Sequence, residues 1–305
     1  MSELKYYAVF GNPVLHSKSP FLFKDGFQAL DIAAEYLRIR PASAQNIIEI
    51  IKKFPLHGAN ITSPYKEDIL DYLDELSSEA QSIGAVNTVV NQSGILKGYN
   101  TDIYGIINTL QEAEANVKDR QCLVLGSGGA AKAAVYALTK AGANTFITGR
   151  SKIKTQQIAD RFNCSVMNWL QFDTKIKFDV IVSALLPKVD APFCKELQFD
   201  FLLNASYKQS MFMKYAKYKN CKFINGERWL LHQAAETFKL FFNCDAPLKQ
   251  MEKCLKKIKI SKKINITPLY SFCAKQNFTQ SDLIIFSNNE KNFQKIKNEE
   301  ITKFI

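Results

Sequence analysis

Histidine is scarce, with three residues in a chain of 305, and no Cys-x-x-Cys pair occurs among the seven cysteines at 122, 164, 194, 221, 244, 254 and 273. An odd, scattered set with so few histidines excludes a disulfide framework and a clustered metal site, so reduced, mostly buried thiols and no metal are expected. Long apolar runs are also missing: the densest, Asp179 to Pro187 and Leu240 to Cys244, fall far short of the roughly 18 to 20 residues that span a bilayer. No basic start leads into a long apolar segment, because Glu3 is followed at once by the strand-like Tyr6 to Phe10. A soluble, cytoplasmic protein is expected on that pattern. With 13 Gly, 9 Pro and 47% hydrophobic residues the composition is neither collagen-like nor disordered, and the length suggests about two domains.

Acid is in deficit. Forty Lys and Arg face 29 Asp and Glu, a formal charge of +11, but the excess is uneven. Residues 246–305 hold 12 lysines against five acids, a net +7, which leaves only +4 for the rest. That tail has no arginine cluster and no recognisable module, so a solvated face is expected rather than a nucleic-acid or membrane surface.

Three zones follow along the chain. From Tyr6 to about Asp102, short apolar runs alternate with helical spacing, as at Ile47, Ile48, Ile51 and Phe54, which predicts an α/β layer. From about Ile103 to Asn225, the run Cys122 to Leu125, a glycine cluster, the helix-prone Ala130 to Ala141 and Thr145 to Thr148 make a βαβ unit and hence a parallel sheet. Further strands are expected at Phe178 to Ser183, Phe201 to Asn204 and Cys221 to Ile224, and one long helix over Trp229 to Phe242. Leu248, Met251, Leu255 and Ile258 then recur at helical spacing, which predicts an amphipathic helix over Pro247 to Lys259.

The turn from Gly126 through Ser127, Gly128, Gly129 and Ala130 to Ala131 fits GxGxxG/A between a strand and a helix. The first glycine permits the turn, the second admits a pyrophosphate to the backbone amides, and the small last residue lets helix and sheet pack closely. Glycines that merely reverse the chain are the alternative. An NAD site usually carries an acid about 20 residues on, yet no acid occurs between Gly126 and Arg150. The second strand ends instead in Thr148, Gly149, Arg150 and Ser151, followed by Lys152 and Lys154. Guanidinium, ammonium and hydroxyl groups there suit the 2′-phosphate of NADP, and a solvated basic loop is the alternative.

Four polar strings lie in the first zone: GNPVLHSKSP (11–20), GANITSPYKE (58–67), GAVNTVV (84–90) and GYNTDIYG (98–105). Their short hydroxyl and amide side chains suit a polyhydroxylated ligand, although any one of them reads equally as a turn. In this order, ahead of the glycine turn, they resemble the NADP-dependent shikimate dehydrogenase family over roughly residues 5–250. The resemblance implies reversible reduction of 3-dehydroshikimate by NADPH, on an α/β fold whose substrate domain and Rossmann-like domain flank a cleft. The divisions implied are a substrate domain over 1–103, an NADP domain over 104–227, helices over 228–260 returning to the substrate domain, and an extension over 261–305. By motif, Ser17 and Ser19 would bind the substrate carboxylate with Tyr207; Asn60, Thr62, Asn87 and Gln233 would bind ring hydroxyls; Lys66 and Asp102 would be the catalytic pair. Gly226 would line the cofactor. A small-molecule substrate and a homodimer are expected, with neither nucleic acid nor membrane as partner.

The chain departs from the family's pattern where Gly149 replaces a frequent Asn, Arg228 a frequent Gly and Trp229 a frequent Met, and where Ser183 to Leu185 lacks the usual Asn and Thr. A related quinate/shikimate dehydrogenase, often NAD-dependent, is the nearest alternative. A non-catalytic NADP-binding protein is a distant one.

Overall fold

The computed structural model describes residues 4–54, 56–170, 176–189, 191, 196–207, 213, 221–257 and 284–286. They form two compact units, one of residues 1–100 and 234–305 and one of residues 101–233.

The first unit is built on a seven-stranded mixed sheet in the order β13-β2-β1-β3-β5-β6-β4. Its strands are β1 (Lys5–Phe10), β2 (Ala34–Arg40), β3 (Leu56–Ile61), β4 (Glu75–Leu76), β5 (Thr88–Gln92), β6 (Ile95–Tyr99) and β13 (Ile284–Phe286). β1 runs parallel to β2 and β3, whereas β5 is antiparallel to β3 and β6. Alternation along β1 sends Ala8 and Phe10 to a core with Leu37, Ile39, Ala59 and Ile61, covered by Ile47, Ile50 and Ile51 of α2 (Ala44–Lys53). The Ser43 hydroxyl caps α2 by accepting from Asn46 N. That helix stops at Lys53 because Phe54 is extended, as expected of a residue that precedes a proline.

Tyr7 lies among rings from α1 (Ser19–Ala29) and α7 (Gly226–Phe242): its centroid is 4.7 Å from Phe241 and 6.0 Å from Phe27. Phe23 stacks on Tyr36 at 4.4 Å. A Cβ on Gly58 would sit 2.4 Å from the Phe241 ring, so β3 has glycine where α7 crosses closest. The amphipathic helix expected after Pro247 is α8 (Leu248–Lys257), whose Met251, Cys254 and Leu255 are buried while Leu248 is exposed.

The second unit carries a six-stranded sheet in the order β12-β11-β10-β7-β8-β9, in which every paired strand is parallel. The strands are β7 (Gln121–Leu125), β8 (Asn144–Thr148), β9 (Ser165–Val166), β10 (Lys177–Ser183), β11 (Gln198–Asn204) and β12 (Lys222–Ile224). Leu123, Leu125, Phe178, Ile181 and Leu202 fill its core. The chain leaves β7 outward to β8 and β9, then crosses to β10 on the other side. The order therefore reverses at β7, the position at which open α/β sheets bind ligands beyond their carboxyl ends.

α7 begins three residues earlier than apolar spacing suggested. Asn225 accounts for the difference, since its Oδ1 accepts from Glu227 N at 3.3 Å and starts the helix at Gly226. The expected strand over Asp282 to Ser287 is present as Ile284–Phe286, which pairs antiparallel with β2. The remainder of the extension, with its expected helix over Lys291 to Ile305, lies outside the described residues. No helix among the described residues is long and apolar enough to cross a membrane.

Cys122 and Cys254 are buried, Cys164 and Cys221 are half-buried and Cys244 is exposed, all as free thiols. Burial, with the Asp179 charge adding to it, pushes the Cys122 thiol up to about 12 and keeps it unreactive.

Candidate active site

In the first unit two loops meet at the ends of β1 and β3. Thr62 N donates to Phe10 O at 2.8 Å and Asn12 N to Ser63 O at 3.0 Å, and a Cβ on Gly11 would lie 2.4 Å from Thr62 Cγ2. The structure thereby brings the first two polar strings together. Asn12-Pro13 and Ser63-Pro64 are cis. Ser17 Oγ and Ser19 Oγ lie 3.3 Å apart, and Ser19 N donates to Ser17 Oγ. Beneath them Arg38, only 2% exposed, donates through Nε at 3.1 Å and Nη2 at 2.6 Å to Ser17 O, with Phe21 stacked on its guanidinium. Sequence reasoning missed Arg38. Its signal was the alternation in AEYLRIR, which sets Arg38 on the same strand face as Tyr36.

Asn60 is bonded at both ends of its amide. Its Oδ1 accepts from Tyr36 Oη at 2.5 Å, and its Nδ2 donates to Asn87 O, Thr88 Oγ1 and Thr237 Oγ1 at 3.1, 2.9 and 3.3 Å. Burial holds the Tyr36 phenol well above its ordinary value, against the opposing Arg38 charge, so the ring remains a neutral donor to Asn60. A buried amide bonded at both ends fixes β3 against β2, β5 and α7. The Oδ1 of neighbouring Asn87 accepts from Thr88 Oγ1 at 3.0 Å, and its backbone is fixed by Tyr99 O and Ile61 N. Thr62 and Lys66 are half-buried, and Lys66 O accepts from Val86 N at 2.8 Å.

In the second unit Asp102 is the first residue of α4 (Asp102–Glu112), and it is 5% exposed. Thr101, not Asp102, holds the cap position. The Trp229 indole Nε1 donates to Asp102 Oδ1 at 3.1 Å, and Gln233 Oε1 accepts from Thr101 Oγ1 at 3.4 Å. A Cβ on Gly105 would meet Trp229 Cδ1 at 2.5 Å and Trp229 O at 2.8 Å, so glycine at that turn of α4 makes room for the indole. On either side of Trp229 along α7, Arg228 and His232 both bond Glu112, Arg228 Nε at 2.9 Å and His232 Nε2 at 3.0 Å. The two departures at 228 and 229 therefore tie α7 to α4. Tyr207, half-buried, follows β11 in this unit, with Asp102 and Gln233, whereas Lys66 and the other expected substrate ligands belong to the first unit.

Burial works to raise the Glu112 carboxyl, but hydrogen bonds from Arg228 and His232 prevail and hold it below its ordinary value. A depressed carboxylate stabilises the fold above its unfolded-state value and loses that contribution as pH falls through the folded one. Glu112→Gln is therefore expected to be less stable than wild type at neutral pH by under about 1 kcal/mol, since the pair is partly solvated. The gap should close below about pH 4. Denaturant titrations at both pH values check this, and a gap that does not change with pH contradicts it.

The glycine turn lies at the reversal point of the parallel sheet. Gly126 has φ +121° and its Cβ would come within 3.3 Å of Ala184 O, so no other residue suits that turn. Gly128 caps α5 (Gly129–Lys140) without a side-chain bond, and a Cβ built on it meets nothing within 4 Å. Space and unsatisfied first-turn amides, including those of Gly129 and Ala130, coincide there. At the carboxyl ends of β8, β10 and β11, Thr148 Oγ1, Ser183 Oγ and Asn204 Oδ1 are buried without hydrogen-bond partners. Buried polar atoms left open at the ligand-binding edge fit a polar cofactor. Gly226 approaches the same edge closely, since its Cβ would lie 2.5 Å from Ala205 O.

Arg150 and Lys154 are exposed beyond β8. Ser151, expected as a phosphate ligand, caps α6 (Lys152–Phe162) by accepting from Lys154 N at 3.4 Å, which leaves its hydroxyl proton free to donate. Gly149 has a local reason: a Cβ there would sit 2.9 Å from Thr155 Oγ1 and 3.3 Å from Ser127 Cβ, so an asparagine would displace both neighbours.

A doubly wound parallel sheet with a glycine turn at its reversal point, joined in one chain to a unit rich in hydroxyl and amide loops, defines a dinucleotide-dependent oxidoreductase. Residues 9–89 match the shikimate dehydrogenase substrate binding domain. The shikimate dehydrogenase (NADP(+)) of Caldanaerobacter subterraneus is 33% identical over 263 residues, which cover 79% of this chain and 92% of that protein. Its counterpart from Aquifex aeolicus is 33% identical over 85% of this chain and 98% of its own length. The crystal structure of the Aquifex aeolicus enzyme superposes with a TM-score of 0.77 at 32% identity, covering 84% of this chain and all of that one. The Thermus thermophilus enzyme in complex with NADP(H) and shikimate gives 0.75 at 28% identity, over 83% of this chain and 99% of its own. The chain belongs to the shikimate dehydrogenase family.

Proposed function

We propose that Lys66 and Asp102 carry the reversible reduction of 3-dehydroshikimate to shikimate by NADPH, a step toward the aromatic amino acids. The observation that carries the reading is the cradle at the edge of the parallel sheet. Open space over Gly128, an uncapped helix start and the buried oxygens of Thr148, Ser183 and Asn204 suit a polar dinucleotide. The relatives' NADP(+) dependence and the NADP(H) and shikimate held by the Thermus thermophilus enzyme support the same choice.

When bound, NADPH supplies the hydride, and the carbonyl carbon gains that electron pair while its oxygen becomes an alkoxide. Lys66 gives the oxygen its proton and offsets its charge as it develops. Asp102 orients that exchange, and in the reverse direction the pair takes the proton back from the hydroxyl through Lys66. Ser17 and Ser19, on a loop anchored by Arg38, bind the carboxylate with Tyr207, while Asn60, Thr62, Asn87 and Gln233 bind ring hydroxyls. Arg150, Lys154 and Ser151 hold the 2′-phosphate. A homodimer in the cytoplasm is part of the same proposal. Incubation of 3-dehydroshikimate with NADPH tests it: chromatography should show shikimate formed mole for mole with cofactor consumed. NADPH consumption without shikimate, or no consumption, contradicts it.

A further inference from the structure

We propose that Trp229 is a positioning residue for Asp102, a role that rests on the catalytic reading of Asp102 given above. Asp102 is the first residue of α4 and is nearly fully buried, so the direction of its carboxylate is set by what bonds it. The indole Nε1–H of Trp229, itself 4% exposed, donates to Oδ1 at 3.1 Å. An indole nitrogen can only donate, so it engages the carboxylate without competing for its proton.

Three features fix the indole in place. Gly105, one turn along α4 from Asp102, has no side chain, and any Cβ there would overlap the Trp229 ring and its carbonyl. Arg228, adjacent to Trp229, grips Glu112 at the far end of α4, and His232 grips the same carboxylate. Gln233 bonds Thr101, the residue before Asp102. The segment Arg228 to Gln233 thus clasps α4 at both ends, with the indole bond in the stretch that bears Asp102. A chain with a glycine at 228 and an unbranched apolar residue at 229 could make neither the Arg228 ion pair nor the indole bond.

Trp229→Phe retains an aromatic ring and removes the donor. For a charge-assisted hydrogen bond in a buried site, kcat for shikimate oxidation is expected to fall about 5- to 30-fold. The KM values for shikimate and NADP should change by less than about threefold, because a bond that orients the carboxylate acts on the chemical step. The deciding arm is the same substitution in an Asp102→Ala background, where the indole has no carboxylate to orient. There Trp229→Phe should change the residual kcat by less than about twofold. Unchanged kcat in the single variant overturns the proposal, and so does an equal fold-loss in both backgrounds, which would make Trp229 a packing residue only. The catalytic reading fails separately, if Asp102→Ala itself turns over like wild type. Thermal unfolding of each variant guards the comparison: a kcat loss accompanied by a collapse of Tm counts against positioning, and a loss at retained Tm supports it.

Discussion

Lys66→Ala is expected to lower kcat about 10²- to 10⁴-fold while changing KM for shikimate far less, the pattern of a lost acid/base group. Hydride addition leaves an alkoxide with no proton of its own, and without the ammonium the transition state lacks both its proton donor and its nearest positive charge. The fold should survive the change. The backbone around Lys66 is held by bonds that do not involve its side chain: Val86 N to Lys66 O at 2.8 Å, Tyr65 Oη to Pro41 O at 2.8 Å and Ile69 N to Tyr65 O at 3.1 Å. Steady-state rates for shikimate oxidation, with a melting curve of the same preparation, check the expectation. Wild-type turnover by a folded variant removes Lys66 from the mechanism.

The second large effect falls on the cofactor. Arg150→Ala should raise KM for NADPH about 10- to 150-fold, the loss of a charged hydrogen bond of about 1.5 to 3 kcal/mol, and leave KM for NADH nearly unchanged. Arg150 follows a strand end fixed from within: Gly126 N donates to Thr148 O, Gly149 fits only as glycine against Thr155 and Ser127, and Ser151 caps α6. Removal of an exposed side chain from so constrained a turn leaves the turn intact, so the change should be confined to the 2′-phosphate. An unaltered NADPH to NADH preference would leave Arg150 as an ordinary surface cation.

Much of this was legible before any coordinates. The parallel sheet could be read from Cys122 to Leu125, the glycine cluster and Thr145 to Thr148, because strand, turn and helix each carry a local signature. The polar strings stood out for their composition. What the sequence did not disclose depends on partners distant along the chain. Nothing local to Asn60 shows that Tyr36, Thr88 and Thr237 surround its amide. Arg38 drew no notice as a lone cation in an apolar run, and its importance shows only in a strand buried on both faces. Trp229 stood out only as a departure, and its bond to Asp102 spans 127 positions. Where a side chain's role is set by tertiary neighbours, spacing can place it on a face, as at Arg38, but does not name its partners.

The most direct measurement is the initial rate of absorbance change at 340 nm with shikimate or quinate, each paired with NADP or NAD. The expected result is rapid reduction of NADP by shikimate, with much slower rates for quinate and for NAD. No absorbance change with shikimate and NADP, or a faster rate with quinate and NAD, would contradict the assignment.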